Sequence, residues 1–299
     1  MKLGILVVYL VNENDEKLLD LHLNQIEKHT KVPYTIYGSV NRLYPTFKEK
    51  LKHHPHVKIC DCHTTDLRSH EEHSFYLEKL LRIAIEDGMS HIAVLHVDSF
   101  PVRTGWAEEL AGKLTDTCVM ASIVRDEQFD KKPVTACMFF HRDFYLKYHP
   151  TFLLSHKELD SADYKKYQKK HKHIIESGVG FGFRIYSAGL SWHKMLRSNK
   201  NEGHYYFSSI YDDSIFHLGA AAHDDRGFPG NRDYIAIKKI IKIFRKLLPQ
   251  SIKNIFRALI PDCIAYPEKT LHQTAFHNER MKLLNNPESY LIFLRTNEK

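Results

Sequence analysis

The chain has 299 residues, a formal net charge of +7 at pH 7 and an apolar fraction of 43%. This length suffices for one large domain with an appendage, and the apolar fraction is ordinary for a globular protein. No run of about 18 apolar residues occurs, so we expect no membrane-spanning helix. The opening residues run straight into charge without a small-residue cleavage site, so we interpret them as a strand rather than a signal peptide.

Strand and helix patterns alternate through the first half of the chain. Compact, β-branched apolar runs indicate strands at 3–11, 33–41, 56–62, 92–95, 118–124 and 135–142. Apolar residues at helical spacing predict helices at 15–29, 74–88 and 104–114. This alternation is typical of a doubly wound α/β sheet.

The second half is less regular. Residues 155–175 are polar and lysine-rich, which indicates a solvated helix or a mobile segment. Residues 174–192 are glycine-rich and favour a bend with a close backbone approach. Residues 210–233 are typical of a loop, with which the α/β part ends.

The C-terminal region differs from the rest in its charge pattern. Within 235–260, apolar residues at helical spacing are surrounded by a dense group of lysine and arginine residues. A basic amphipathic helix can lie on an anionic membrane surface, although an ordinary helix packed on the main domain would have the same apolar face. We therefore predict a main domain over 1–230 and a basic helical region over 231–299.

The five cysteines are odd in number and irregularly spaced. Cys60 and Cys62 are separated by one residue, which is too close for a zinc knuckle. The pattern favours reduced thiols in a cytoplasmic protein.

Polar side chains follow three of the predicted strands. Asn12 follows the first, Ser39 and Asn41 end the second, and His96 with Asp98 follow the fourth. In doubly wound sheets, ligands bind outside the carboxyl ends of the strands, so these residues should meet in one crevice. The chain has no G-x-G-x-x-G or P-loop pattern, which disfavours dinucleotide and P-loop sites.

His96 and Asp98 are the strongest candidates for chemistry. Residues two apart in a strand point to the same side, so both can face one site. Imidazole and carboxylate are both competent ligands for a divalent cation. A buried histidine beside a turn-capping aspartate would have the same spacing, and the pair alone does not separate these interpretations.

The surrounding segment, LHVDSFPVRTGWAEEL at 95–110, resembles the metal-binding segment of GT-A glycosyltransferases, especially the family 2-like bacterial enzymes. In that pattern an apolar strand leads into Asp-x-Asp, a short loop and a helix that begins near Gly-Trp. His96 stands in the place of the first aspartate and Asp98 in the place of the second. Three other segments resemble the same family in order and spacing, at 68–80, 136–145 and 215–222.

The resemblance implies a GT-A fold, with a Rossmann-like, mostly parallel sheet flanked by helices and followed by a C-terminal helical appendage. It also implies Mn²⁺ or Mg²⁺ bound by Asp98, His217 and His96. A general base is implied at Glu176, with Asp143 in reserve. The residues expected on the nucleotide-sugar donor are Asn12, Ser39, Asn41, Arg68, His73 and His96.

The function implied by the resemblance is inverting transfer of a sugar, most simply from a UDP-sugar, to a saccharide or lipid-linked acceptor in cell-surface glycan synthesis. The enzyme would be cytoplasmic, with peripheral contact to the inner membrane face through 235–260 and no nucleic-acid partner. Two other classes remain open at this point. A metal-dependent hydrolase would use the many histidines, and a non-catalytic basic module would bind a membrane or a nucleic acid.

Overall fold

The computed structural model describes residues 1–11, 15–41, 43–124, 132–171, 175–201, 204, 207–219 and 267–296. Its ten strands are β1 (Leu3–Val8), β2 (Tyr34–Ser39), β3 (Val57–Cys60), β4 (His91–Leu95), β5 (Ser99–Pro101), β6 (Cys118–Ile123), β7 (Val134–His141), β8 (Ser191–Met195), β9 (Ser209–Tyr211) and β10 (Ile215–His217). Its helices are α1 (Glu16–His29), α2 (Pro45–Lys52), α3 (Ser69–Glu86), α4 (Trp106–Gly112), α5 (Arg142–Tyr148), α6 (His156–Leu159), α7 (Ala162–His171), α8 (Val179–Ser187), α9 (Pro267–Asn285) and α10 (Pro287–Arg295).

Seven strands form the main sheet, in the order β3-β2-β1-β4-β7-β6-β8. Only β7 is antiparallel to its neighbours β4 and β6, and the other pairs in the sheet are parallel. Helices cover both faces, which explains why the strands are continuous apolar runs rather than alternating ones. The predicted α/β class, with a mostly parallel sheet flanked by helices, is confirmed.

The two faces of the sheet have separate cores. Residues such as Ile5 and Ala93 pack with α1 and α4 on one face, whereas Leu6 and Val94 pack with α3 and α8 on the other. Successive strand residues therefore alternate between two buried layers, as the pleat requires.

A second, three-stranded sheet was not predicted. Its order is β5-β10-β9, and both pairings are antiparallel. It includes part of the segment 210–233 that the sequence indicated as a loop. The strands have only three residues each, too few for a periodic pattern to be visible. They are stabilised by Phe100 and Phe216, which are fully buried and stacked with ring centres 5.0 Å apart.

Helix α3 begins at Ser69, five residues before the predicted start. Its first turn carries Glu71 and Glu72, which are favourable near the positive end of a helix dipole. The apolar stripe that marks a helix in the sequence begins only at Tyr76 and Leu77, so the polar turns before it were missed.

Most of segment 174–192 forms helix α8 and the start of β8, and the expected bend is limited to the residues before α8, where Gly178 has a left-handed backbone conformation. The close approach expected from the glycines is also present. A Cβ atom at Gly180 would collide with the carbonyl oxygen of Thr151, and one at Gly182 would collide with the hydroxyl of Tyr167. At Gly180 and Gly182, glycine permits tight helix packing rather than a turn.

The lysine-rich segment 155–175 forms α6 and α7 in its described part, with α7 anchored by two tyrosines. Tyr164 and Tyr167 are buried against Val179 and Phe183 of α8. The lysines of α7 lie on its remaining, exposed side, so the expected solvated helix is present with one face attached to the domain.

The C-terminal helices α9 and α10 pack on the main body of the protein. Leu283, Tyr290 and Leu294 share a core with Phe100 and Phe216 of the small sheet. The predicted boundary at 230, the basic segment 235–260 and Cys263 all lie outside the described residues and stay predictions. The other four cysteines are free thiols, and among the described helices none is long and apolar enough to cross a membrane.

His22 of α1 predicts a specific pH dependence of stability. Complete burial lowers its pKa from 6.5 to about 4, so between these values the unfolded chain binds a proton that the folded chain does not. Stability should therefore fall as the pH drops through this window, with about 2 kcal/mol lost through His22 between pH 7 and pH 5. Urea unfolding at both pH values measures the loss. The His22→Asn variant, whose side chain cannot titrate, should lose less unfolding free energy between these pH values. An equal loss in both proteins would contradict the role of His22 in the pH dependence.

Candidate metal centre

Three predicted metal ligands meet at the carboxyl end of β4. The ligand atoms of His96, Asp98 and His217 all lie within 4.8 Å of one another. Asp98 and His217 are buried, with 4% and 3% of their surface exposed, while His96 is partly exposed. In the described part of the chain, this is the one group of three or more such side chains close enough to share an ion.

Backbone pairing between distant segments creates this group. The chain turns after β4, and β5 then pairs antiparallel with β10, which sets His217 opposite Ser99. The carbonyl of Asp98 accepts a hydrogen bond from the amide of Leu218 at 2.9 Å. The residues adjoining Asp98 and His217 are therefore fixed by sheet hydrogen bonds rather than by side-chain contacts alone.

The distances and the donor chemistry fit one divalent cation. His96 Nδ1 lies 3.9 Å from Asp98 Oδ1, and His217 Nε2 lies 3.7 Å from Asp98 Oδ2. Ligand atoms about 2.1 Å from a common ion are separated by roughly 3 to 4 Å. The other ring nitrogen of His96, Nε2, lies 3.2 Å from the Thr135 hydroxyl, which directs Nδ1 toward Asp98.

His73, expected on the donor, lies directly against this group. Its ring meets the His96 ring edge-on, with centres 5.0 Å apart, and burial lowers its pKa to about 4. The imidazole is therefore neutral near pH 7. Its Nδ1 lies 3.1 Å from Ser177 Oγ, which also accepts a hydrogen bond from Ser74 at 2.9 Å. His73 thus connects His96 to the segment that precedes α8.

Glu176, the expected general base, begins that segment and is paired with a lysine. Its Oε2 lies 2.9 Å from Nζ of Lys132. The lysine is completely buried, whereas 38% of the Glu176 side chain is exposed. Since Ser177 contacts His73 and His73 contacts His96, Glu176 lies at the same edge of the sheet as the metal group, with its carboxylate anchored on one side and open to solvent on the other.

The remaining donor-side residues are spread along the same edge. Ser39 ends β2, two strands from β4, and donates a hydrogen bond to Asn41 at 3.0 Å. Arg68 precedes α3, is exposed, and donates to the carbonyl of Leu67. The structure brings none of these three into contact with the metal group, and Asn12 lies outside the described residues.

Asp143, the reserve candidate for the general base, lies at the wrong edge. Strand β7 runs antiparallel to β4, so its last residue, His141, is opposite His91 at the start of β4. Asp143 follows His141 and is therefore separated from His96 by the length of the strand. Its side chain is 74% exposed, and its amide bonds the ring of His141 at the start of α5. We propose no catalytic role for it.

Sequence reasoning missed the residues that support the site. Lys132, Thr135, Ser99 and Ser177 each contact a predicted site residue. Lys132, Thr135 and Ser177 have no recognisable spacing from their partners, because these contacts cross between separate elements. The one available signal was the position of Ser99 directly after Asp98, where a serine often closes a turn.

No protein-family model and no curated protein matches the chain. Solved structures are similar to it at low identity. The mannosyltransferase PcManGT from Pyrobaculum calidifontis, in complex with GDP-Man and Mn²⁺, is 12% identical with a TM-score of 0.39, over 59% of this chain and 55% of that one. Residues 1–349 of TarS from S. aureus are 14% identical with a TM-score of 0.38, over 54% and 52%.

Mouse xyloside xylosyltransferase 1 is 10% identical with a TM-score of 0.42, over 65% of this chain and 85% of that one. The chain spans about half the length of the first two structures. The first and the third of these structures are named as sugar transferases. Because these likenesses are distant, the function proposed below rests on the site.

Asp98→Asn should abolish Mn²⁺ binding. The substitution removes the only formal negative charge among the three ligands, and the affinity loss should exceed the roughly 10- to 100-fold typical of losing an outer-shell partner. Electron paramagnetic resonance of free Mn²⁺ during a titration measures the affinity. Asp143→Asn is the matched control, since it removes the same charge at the opposite edge. Equal affinity in the Asp98→Asn protein would rule out this centre.

Proposed function

We propose that the chain is a metal-dependent glycosyltransferase that moves a sugar from a nucleotide diphosphate to a hydroxyl acceptor. The observation that supports this most directly is the group His96, Asp98 and His217 at the carboxyl edge of a doubly wound sheet, with Glu176 at the same edge. A UDP-sugar is the donor that the sequence resemblance favours.

The metal group would bind the donor through its diphosphate. Asp98, His217 and His96 would hold the ion, which when bound supplies a Lewis acid that neutralises charge on the leaving diphosphate. Two imidazoles and one carboxylate suit a first-row transition metal better than Mg²⁺, which prefers oxygen ligands. We therefore propose Mn²⁺ over Mg²⁺.

Glu176 would accept the proton of the acceptor hydroxyl. As that proton passes to the Glu176 carboxylate, the hydroxyl oxygen forms a bond to the anomeric carbon, and the bond from this carbon to the diphosphate oxygen breaks. A single displacement of this kind inverts the anomeric centre. The ion pair with Lys132 would hold the carboxylate in place, because the lysine side chain is completely buried.

The nucleoside would lie on the β1 and β2 side of the edge. Ser39, Asn41 and Arg68 offer hydroxyl, amide and guanidinium groups there. We also propose a saccharide or lipid-linked acceptor, which the sequence resemblance favours. The free thiols support a cytoplasmic location. The basic charge pattern of 235–260 supports membrane contact through that segment.

The same metal group could also activate a water molecule, so metal-dependent hydrolysis is the second candidate function. The exposed part of Glu176 suits both reactions, because a water molecule and an acceptor hydroxyl must each reach the general base from solvent. Release of free sugar from the donor, unaffected by any added acceptor, would favour hydrolysis.

A nucleotide screen tests the donor site. Thermal unfolding is measured with UDP, GDP, CDP and dTDP, each with and without Mn²⁺. A nucleotide present at about 100 times its dissociation constant stabilises the folded chain by about 2.7 kcal/mol. We expect UDP to raise the midpoint only when Mn²⁺ is present, and Asp98→Asn to remove the effect. No shift with any nucleotide would contradict the proposed function.

Glu176→Gln tests the base. It keeps the size of the side chain but removes its proton affinity, so turnover should fall by roughly 10²- to 10⁴-fold. Mn²⁺ and nucleotide binding should persist, since Glu176 does not belong to the metal group. Steady-state transfer assays measure turnover, and the Mn²⁺ titration and the thermal-unfolding screen described above measure binding. Retained turnover in this variant would exclude Glu176 as the base, whichever donor is used.

A further inference from the structure

His22 of α1 lies outside the metal group but contacts the turn that carries it. The side chain is fully buried, and its Nδ1 lies 3.1 Å from the carbonyl oxygen of Ser99, 77 residues away in sequence. Ser99 directly follows Asp98. A helix on one face of the sheet therefore reaches the backbone beside a predicted ligand.

The direction of this hydrogen bond follows from its chemistry. A carbonyl oxygen only accepts, so Nδ1 must carry the proton and donate it. Burial lowers the pKa of His22 to about 4, so the ring is neutral near pH 7 and its single ring proton is committed to Nδ1. The ring also packs edge-on against Tyr9, with centres 5.9 Å apart, which restricts its rotation.

Ser99 connects the backbone segments that bear all three ligands. Its Oγ accepts a hydrogen bond from the amide of His96 at 2.9 Å and donates to the carbonyl of Ala136. Its backbone pairs with His217 between β5 and β10. Ser99 therefore adjoins the backbone at all three predicted ligands.

We propose that His22 is a positioning residue for the metal centre, which it holds in register by donating its Nδ1 proton to the Ser99 carbonyl. The inference rests on the proposed metal function and extends it to a residue that the ion would not touch. Outer-shell partners that hydrogen-bond a ligand side chain typically contribute roughly 10- to 100-fold to metal affinity, and His22, which bonds the backbone beside a ligand, is expected at the lower end of that range.

Two substitutions separate positioning from simple packing. Asn at position 22 keeps an N–H donor near the place of Nδ1 but loses the ring, whereas Leu keeps apolar volume but loses the donor. If His22 only fills space, the Leu variant should be the milder one. If it positions Ser99, the Asn variant should be the milder one.

The experiment measures Mn²⁺ affinity by electron paramagnetic resonance in the unsubstituted chain and in His22→Leu, His22→Asn and Ser99→Ala. We expect about 10-fold weaker binding in the Leu and Ala variants and a loss of less than about 3-fold in the Asn variant. Tyr37→Phe is the control, since it removes a partly buried hydrogen bond to Asp87 near the edge of the main sheet opposite the metal group. Equal Mn²⁺ affinity in the Leu variant and the unsubstituted chain would overturn the proposal. Weaker Mn²⁺ binding in the Asn variant than in the Leu variant would also overturn it.

A second readout works without metal. The amide of Leu218 donates to the Asp98 carbonyl, so its hydrogen-exchange rate reports whether the turn and β10 remain together. We expect faster exchange at Leu218 in His22→Leu, relative to the unsubstituted chain and to Tyr37→Phe. Unchanged exchange would overturn the positioning role. If the unsubstituted chain binds no Mn²⁺, the proposed metal function fails by itself, and this rate still decides whether His22 holds the turn.

Discussion

The antiparallel pairing of β5 with β10 is the interaction on which the candidate site depends. Asp98 and His217 are more than 100 residues apart, and this short pairing brings them within reach of one ion. Three-residue strands contribute few hydrogen bonds of their own. The pairing persists because Phe100 and Phe216 stack within a core shared with α9 and α10. The C-terminal helices thus support the site although they supply none of its ligands.

The main sheet could be predicted because its signals are local. Runs such as Leu3–Val8 and His91–Leu95 are buried on both faces, and uninterrupted apolar sequence indicates such strands directly. The glycines of α8 show the limit of this reasoning. Their meaning depends on Thr151 and Tyr167, which approach from other elements, and composition alone indicated a bend.

The candidate site was predictable only in part, for the same reason. His96 and Asp98 share one strand end, so their spacing was informative, and His217 was reached through the family resemblance. Lys132 and Ser177 could not be predicted from the sequence, because their partners are distant in the chain. Lys132 lies 44 residues from Glu176, and Ser177 lies 104 residues from His73. Asp143 was misplaced because the direction of β7 is a property of the sheet, which no single strand sequence reveals.

Helices on both faces of the sheet contact the metal group at the carboxyl end of β4 or the turn beside it. From the α1 side, His22 reaches the Ser99 carbonyl, and from the α3 side, the His73 ring abuts His96. Both histidines have their pKa lowered by burial to about 4, so near pH 7 neither adds a positive charge beside the ligands. A cation is disfavoured by nearby like charge, whereas neutral imidazoles can orient the ligands through hydrogen bonds and ring contacts at no such cost. The burial that makes these histidines expensive to protonate is therefore also what makes them compatible with a bound cation.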